Sequence, residues 1–91
     1  MIRFKVYRSD GRIEIVESPS KEQLLSSLQE AVGGYIEIVD KEYVLFSEFT
    51  KVKDDELIIC NEEGRIKHMK RNIYFPNLVG DIVTIKSGDM E

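Results

Sequence analysis

The sequence predicts an α+β fold in which one main α-helix, at about residues 20–33, packs against a small mixed or antiparallel β-sheet. The helix is predicted from a capping-box signal, Ser20 followed three residues later by Gln23, and from Gly33 at the position of a left-handed cap. The sheet is predicted from short apolar runs in the rest of the chain, several of which alternate with a period of two. The apolar face of the helix is predicted to consist of Leu24, Leu25, Leu28, Ala31 and Val32.

The β-rich remainder divides into an amino-terminal hairpin and a larger sheet within one predicted domain, residues 1–91. In the hairpin, residues 1–17, apolar and polar side chains alternate on both sides of Asp10-Gly11, which suits a tight turn because Gly accepts a positive φ. Residues 35–86 supply the other strands. These are predicted to include a strand at Tyr43–Phe49, a strand buried on both faces at Leu57–Cys60 and a final strand at Gly80–Lys86.

Composition and charge exclude several classes of protein. The chain has 13 Lys and Arg against 17 Asp and Glu, and a net charge of about −4 argues against general nucleic-acid binding, which depends on neutralising phosphates. The amino-terminal stretch has no apolar run of the length that a signal peptide or a membrane span requires, so we expect an intracellular protein. One cysteine and one histidine supply neither a disulfide nor a four-ligand zinc site, so no metal or other cofactor is expected.

No catalytic group is recognisable in the sequence, and we therefore expect a protein that binds rather than an enzyme. Cys60, in an apolar strand, is interpreted as a small buried hydrophobe. His68 is surrounded by cations and is interpreted as a solvated surface residue. Glu62 and Glu63 are adjacent in a predicted turn, so their side chains diverge and do not form a catalytic pair.

The main electrostatic feature is a run of four cations between Arg65 and Arg71. Two interpretations remain open: the run is a solvated face, or some of its side chains bind an anion beside turn N–H groups. Glu37, in the strand after Gly34, is likewise either exposed to solvent or the acid of a pocket. If the sheet brings these ends together, the predicted ligand-binding residues are Tyr35, Glu37, Asn61, Glu62, Arg65 and Asn72.

Aromatic content predicts either self-association or a ligand pocket. Six aromatic side chains have more apolar area than one short helix covers, and we expect a homo-oligomer. The six are Tyr35, Tyr43, Phe46, Phe49, Tyr74 and Phe75.

Four motifs follow one another along about residues 20–86, namely Gly33-Gly34-Tyr35-Ile36-Glu37, Asn61-Glu62-Glu63-Gly64, Asn72 and Val79-Gly80-Asp81. In this order and spacing they resemble a family of small proteins of unknown function from bacteriophages and mobile elements. The chain departs from the family where members tend to have Leu-Pro-x-Asn, because the residues before Asn72 are Met69-Lys70-Arg71.

The resemblance implies a protein that acts in the cytoplasm of a bacterial host, where small accessory phage proteins often counter host defence. We therefore predict a non-enzymatic protein that binds and sequesters a nucleotide-derived small molecule. Arg65 would meet a phosphate and Tyr35 would stack on a base, while Glu37 or Asn72 would hold ribose hydroxyls. The alternative is an inhibitor that binds a host defence or regulatory protein through an exposed apolar patch.

Overall fold

The computed structural model describes all 91 residues, with five β-strands and one α-helix. The strands form one antiparallel sheet in the order β2-β1-β5-β4-β3, so the predicted α+β class is confirmed. No helix has the length and apolar composition of a membrane span. The elements are β1 (Ile2–Tyr7), β2 (Ile13–Ser18), α1 (Leu24–Val32), β3 (Ile36–Val39), β4 (Glu56–Asn61) and β5 (Ile82–Lys86), with short 3₁₀ turns at Lys41–Tyr43 and Ser87–Met90.

The helix is shorter than the sequence predicted. The Ser20 hydroxyl does accept a hydrogen bond from the Gln23 N–H, at 3.3 Å. The backbone of residues 20–23 forms a turn of i to i+3 hydrogen bonds, however, so α1 begins only at Leu24. Its end is as predicted: Gly33 has a φ of 79°, a left-handed conformation that costs glycine little, and its N–H caps the helix.

α1 crosses one face of the sheet and forms the first of two cores. Leu28 is fully buried at its centre, whereas Leu25, which the spacing assigned to the same face, is 54% exposed. Leu25 differs because the helix is short and only a narrow stripe of it faces the sheet. The first core contains Phe4, Val6, Leu24, Leu28, Ala31, Val32, Ile59, Val83 and Ile85.

The opposite face of the sheet is covered in part by loops of the same chain. Residues 43–49 were predicted to form a strand, and this prediction is wrong: only Val44 of this segment is buried, and no strand is present. Its backbone donates instead to a loop, through Ser47 N–H to the Tyr74 carbonyl at 3.0 Å. The second core that results contains Tyr7, Val44, Ile58, Cys60, Phe75 and Ile82.

This second core buries some of the aromatic area that the sequence left without cover. Phe75 is fully buried, and its ring meets Tyr7 edge-on with a centroid distance of 5.1 Å. Phe46 packs against Phe75 at 5.8 Å. Tyr35, Tyr43 and Phe49 remain exposed and Phe46 is exposed in part, so the homo-oligomer stays a prediction that now depends on fewer side chains.

Arg8, directly after β1, joins the hairpin to the helix and to β5. Its guanidinium donates to Glu14 at 2.6 Å and to Asp81 at 3.0 Å. It also donates to the Ala31 carbonyl near the end of α1, at 2.9 Å. Burial disfavours the charge of this group, but the two carboxylates outweigh that effect and the pKa of Arg8 is raised. The arginine therefore stays charged and holds three elements in register.

Leu28→Ala is expected to lower the free energy of unfolding by about 2–5 kcal/mol, because it leaves a cavity at the centre of the first core. Leu25→Ala is the matched control on the same helix and should change stability by less than about 0.5 kcal/mol, since Leu25 is mainly exposed. Urea denaturation followed by circular dichroism measures both. Equal effects of the two substitutions would show that α1 does not pack as described.

Candidate functional site

A pocket of about 270 Å³ lies between β3, the end of β4 and the connection at residues 62–81. It borders the second core: part of its wall is formed by Cys60 of that core and by Val39 and Leu78, which pack against it. A larger and more open depression of about 500 Å³ lies elsewhere on the sheet and contains none of the predicted ligand-binding residues. Four of the six predicted residues line the smaller pocket: Glu37, Asn61, Glu62 and Arg65.

Asn61 forms a wall of the pocket, but its side-chain amide is committed to the backbone. Its Nδ2 donates to the Val32 carbonyl at 3.0 Å, and its Oδ1 accepts from the Glu63 N–H at 2.7 Å. A Cβ on Gly34 would lie 2.9 Å from this Nδ2, which explains why the helix is followed by a second glycine. Asn61 therefore fixes the end of α1 and the turn after β4, and has little capacity left for a ligand.

Asn72 lies outside the pocket and is completely buried. Its Nδ2 donates to the carbonyls of Tyr7 at 2.8 Å and Gly80 at 3.0 Å. Its Oδ1 accepts from the Tyr74 N–H at 2.9 Å. Both donors of the amide are used and its oxygen is engaged, so Asn72 anchors the long connection to the sheet and is not placed to hold a ribose.

Tyr43 stands at the pocket where the sequence had suggested Tyr35. The Tyr35 side chain is exposed and does not line the pocket. Tyr43 does line it, and Asn77 holds the segment in place because its Nδ2 donates to the Tyr43 carbonyl and its Oδ1 accepts from the Leu45 N–H. No local pattern in the sequence pairs Asn77 with a segment so distant along the chain. Tyr43 and Asn77 were therefore not among the predicted ligand-binding residues.

Glu37 and Cys60 are cross-strand partners in β3 and β4. The Cys60 Sγ donates weakly to Glu37 Oε1 at 3.8 Å. The pKa of the Cys60 thiol is raised to about 11, first by burial and then by the negative charge of Glu37, while the charge of Arg65 opposes the rise in part. Cys60 is therefore a neutral thiol and not a nucleophile at neutral pH, in agreement with its interpretation as a small buried hydrophobe.

Arg65 is the only member of the basic run that lines this pocket. One of its terminal nitrogens donates to the Asn77 carbonyl at 3.1 Å, and the guanidinium forms no ion pair with a carboxylate. Arg65 is exposed, as are the other cations of the run and His68. Arg65 differs from the other cations in lining the pocket and in its hydrogen bond to Asn77, which leaves donors available for an anionic group.

Together the pocket combines two carboxylates, one guanidinium and an aromatic ring with apolar side chains. No group of His, Cys, Asp and Glu side chains is arranged to hold a metal ion. The lining groups can hydrogen-bond and stack a small amphipathic molecule. The apolar part of the wall consists of Val39, Ile66, Leu78 and Val79.

The fold and the pocket define a small α+β domain with a candidate site between two strands of the sheet and an irregular connection. The chain belongs to the family described as Domain of unknown function (DUF3846), whose model matches residues 2–91. Comparison with curated proteins and with solved structures gives no match.

The reaction of Cys60 with iodoacetamide is expected to rise tenfold per pH unit from about pH 7 to about pH 9.5 without a plateau, because its pKa of about 11 keeps the thiolate scarce over that range. Glu37→Gln removes a negative charge beside the sulfur, so it should lower the pKa and speed the reaction. Glu42→Gln, outside the pocket, should have no effect. Mass spectrometry of the alkylated protein measures the rates, and a plateau near pH 9 would contradict the assignment.

Proposed function

We propose that this protein binds and sequesters a nucleotide-derived small molecule in the pocket formed by Glu37, Tyr43 and Arg65. The observation that carries the proposal is the convergence of an oriented guanidinium, a carboxylate and an aromatic ring in one pocket. In the setting that the motif resemblance implies, a phage or mobile element inside a bacterium, such binding would remove an immune signal from circulation.

The roles follow from what each side chain has available. Arg65 has donors left after its bond to Asn77, and its planar fork suits a phosphate. Glu37 accepts only a weak bond from Cys60, so its oxygens are available to N–H or O–H donors of a ligand. Tyr43 is held by its backbone and exposes its ring at the rim, where it would stack on a base.

Binding without conversion is supported by the absence of an activated nucleophile among the lining residues. The single thiol, Cys60, has a raised pKa, and the single histidine, His68, is exposed outside the pocket. A site of this kind holds its ligand by complementarity, and the ligand would leave unchanged when the protein is denatured.

Calorimetry with mononucleotides, cyclic dinucleotides and ADP-ribose should find at least one ligand with a Kd below about 10 μM. Arg65→Ala should weaken this binding by about 10–100-fold, because it removes a charge-assisted hydrogen bond. Arg71→Ala is the matched control from the same basic run and should bind as the parent does, since Arg71 does not line the pocket.

Heat denaturation should release the bound compound intact, and release of an altered compound would indicate an enzyme instead. If no compound binds, or if Arg65→Ala binds as tightly as the parent, the pocket is not the site.

A second candidate function, inhibition of a host protein, is favoured by an exposed apolar strip at residues 43–49. Four large side chains in this strip are between 41% and 83% exposed, although the segment lies against the second core. Apolar side chains grouped in this way mark surfaces that bind other proteins. The same strip would be the contact surface of the predicted homo-oligomer. Its members are Tyr43, Leu45, Phe46 and Phe49.

Sedimentation velocity at about micromolar concentration is expected to show at least a dimer, and Phe49→Asp should shift it to a monomer by placing a charge in the strip. The substitution should leave the circular dichroism spectrum of the folded chain unchanged, because Phe49 is 83% exposed within the chain. Ile73→Asp, at an exposed position outside the strip, is the control and should not change the mass. A monomeric parent protein would refute self-association and leave the strip for a host protein.

A further inference from the structure

The charge of the pocket limits the kind of nucleotide that it takes. Its charged side chains are the carboxylates of Glu37 and Glu62 and the guanidinium of Arg65. Two negative charges against one positive charge disfavour a polyanion, because each additional phosphate adds repulsion that a single cation does not offset. A ligand with one anionic group can place that group at Arg65 and keep the rest of its surface neutral.

The size of the pocket also favours a ligand with a single phosphate. Its volume of about 270 Å³ lies just under the range of roughly 300–1,000 Å³ that is usual for drug-sized ligands. A single nucleoside unit is of this scale, whereas a cyclic dinucleotide carries two bases and two phosphates and would leave one half outside. Size and charge therefore both favour one base with one phosphate.

Glu37 indicates which base of a nucleotide the pocket would bind. A carboxylate only accepts hydrogen bonds when ionised, and its two oxygens match two adjacent N–H donors. Guanine presents such a pair on its Watson–Crick edge, from its ring N–H and its exocyclic amino group. Adenine has an acceptor nitrogen at the corresponding ring position, which would face the carboxylate without a proton between them.

We infer that the pocket is selective for a guanine mononucleotide, whose base edge donates to Glu37 while its single phosphate binds Arg65. This inference rests on the proposed function and narrows its ligand class. Tyr43 would lie against the face of the base at the rim of the pocket. A cyclic dinucleotide carries two phosphates, and the pocket has only one cation, Arg65, to bind them.

The test is a calorimetric comparison of GMP, AMP, GDP and cyclic di-GMP with the full chain. GMP should bind at least about 10-fold more tightly than AMP, because adenine offers Glu37 one donor, its amino group, and opposes the other carboxylate oxygen with an acceptor nitrogen. GDP and cyclic di-GMP should each bind more weakly than GMP, and the difference should grow at low salt, where repulsion between charges is less screened.

Glu37→Gln is expected to weaken GMP binding by about 10-fold or more and to strengthen AMP binding, since an amide replaces one acceptor oxygen with a donor that matches the acceptor nitrogen of adenine. Glu42→Gln, an exposed position outside the pocket, is the matched control and should leave the affinity for GMP unchanged. Melting curves of both variants establish that each is folded before its binding is measured.

Two results would overturn the inference and leave the proposed function standing: cyclic di-GMP binding more tightly than GMP, or AMP matching GMP with no effect of Glu37→Gln. In either case a nucleotide still binds, and Arg65→Ala still weakens it. If none of the four compounds, nor any other nucleotide, binds to the parent protein, the proposed function fails together with the inference.

Discussion

Two buried asparagine amides are the constraint on which the rest of this structure depends. The connection between β4 and β5, residues 62–81, is irregular and lies over the sheet, so its inner backbone groups have no ladder to pair with. Asn72 satisfies two of these groups, the Gly80 carbonyl and the Tyr74 N–H, and ties the connection to β1 through the Tyr7 carbonyl. Asn61 holds the end of α1 to the start of the connection. A buried carbonyl left without a donor costs about 1–3 kcal/mol, so these amides determine whether the loop can lie where it does.

Most of the motif residues therefore form a frame, while two motif carboxylates, Glu37 and Glu62, line the pocket. Gly34 allows the Asn61 amide to approach, and Gly80, with a φ of 79°, brings its own carbonyl to Asn72. Asp81 accepts a hydrogen bond from Arg8, the arginine that joins the hairpin to the helix. All of these contacts are made within the chain. Most of the polar motif residues at turns thus fix the conformation of the loops, and the motifs by themselves do not identify a ligand.

This frame positions the pocket at the edge of the regular sheet. The charged groups of the pocket are two carboxylates and one guanidinium. β3 and β4 supply Glu37 and Cys60 from a regular ladder, while Arg65 and the apolar wall come from the connection that the asparagines anchor. Loops positioned by a rigid scaffold are the usual location of binding residues, because they vary without loss of the core. The neutral thiol beside Glu37 adds volume and a weak donor to the site and no reactivity.

The sequence alone determined the class of fold, because the hairpin, the helix and the buried β4 are local patterns of period two or 3.6 that side-chain alternation reveals. It also grouped Glu37 with Arg65, and both residues line one pocket. Tertiary structure decided the rest. Residues 43–49 have the composition of a strand, yet their backbone pairs with a loop some thirty residues later, as in the contact of Leu45 with Asn77. Asn72 turned inward for the same reason: its partners are distant in sequence, and no local pattern encodes them.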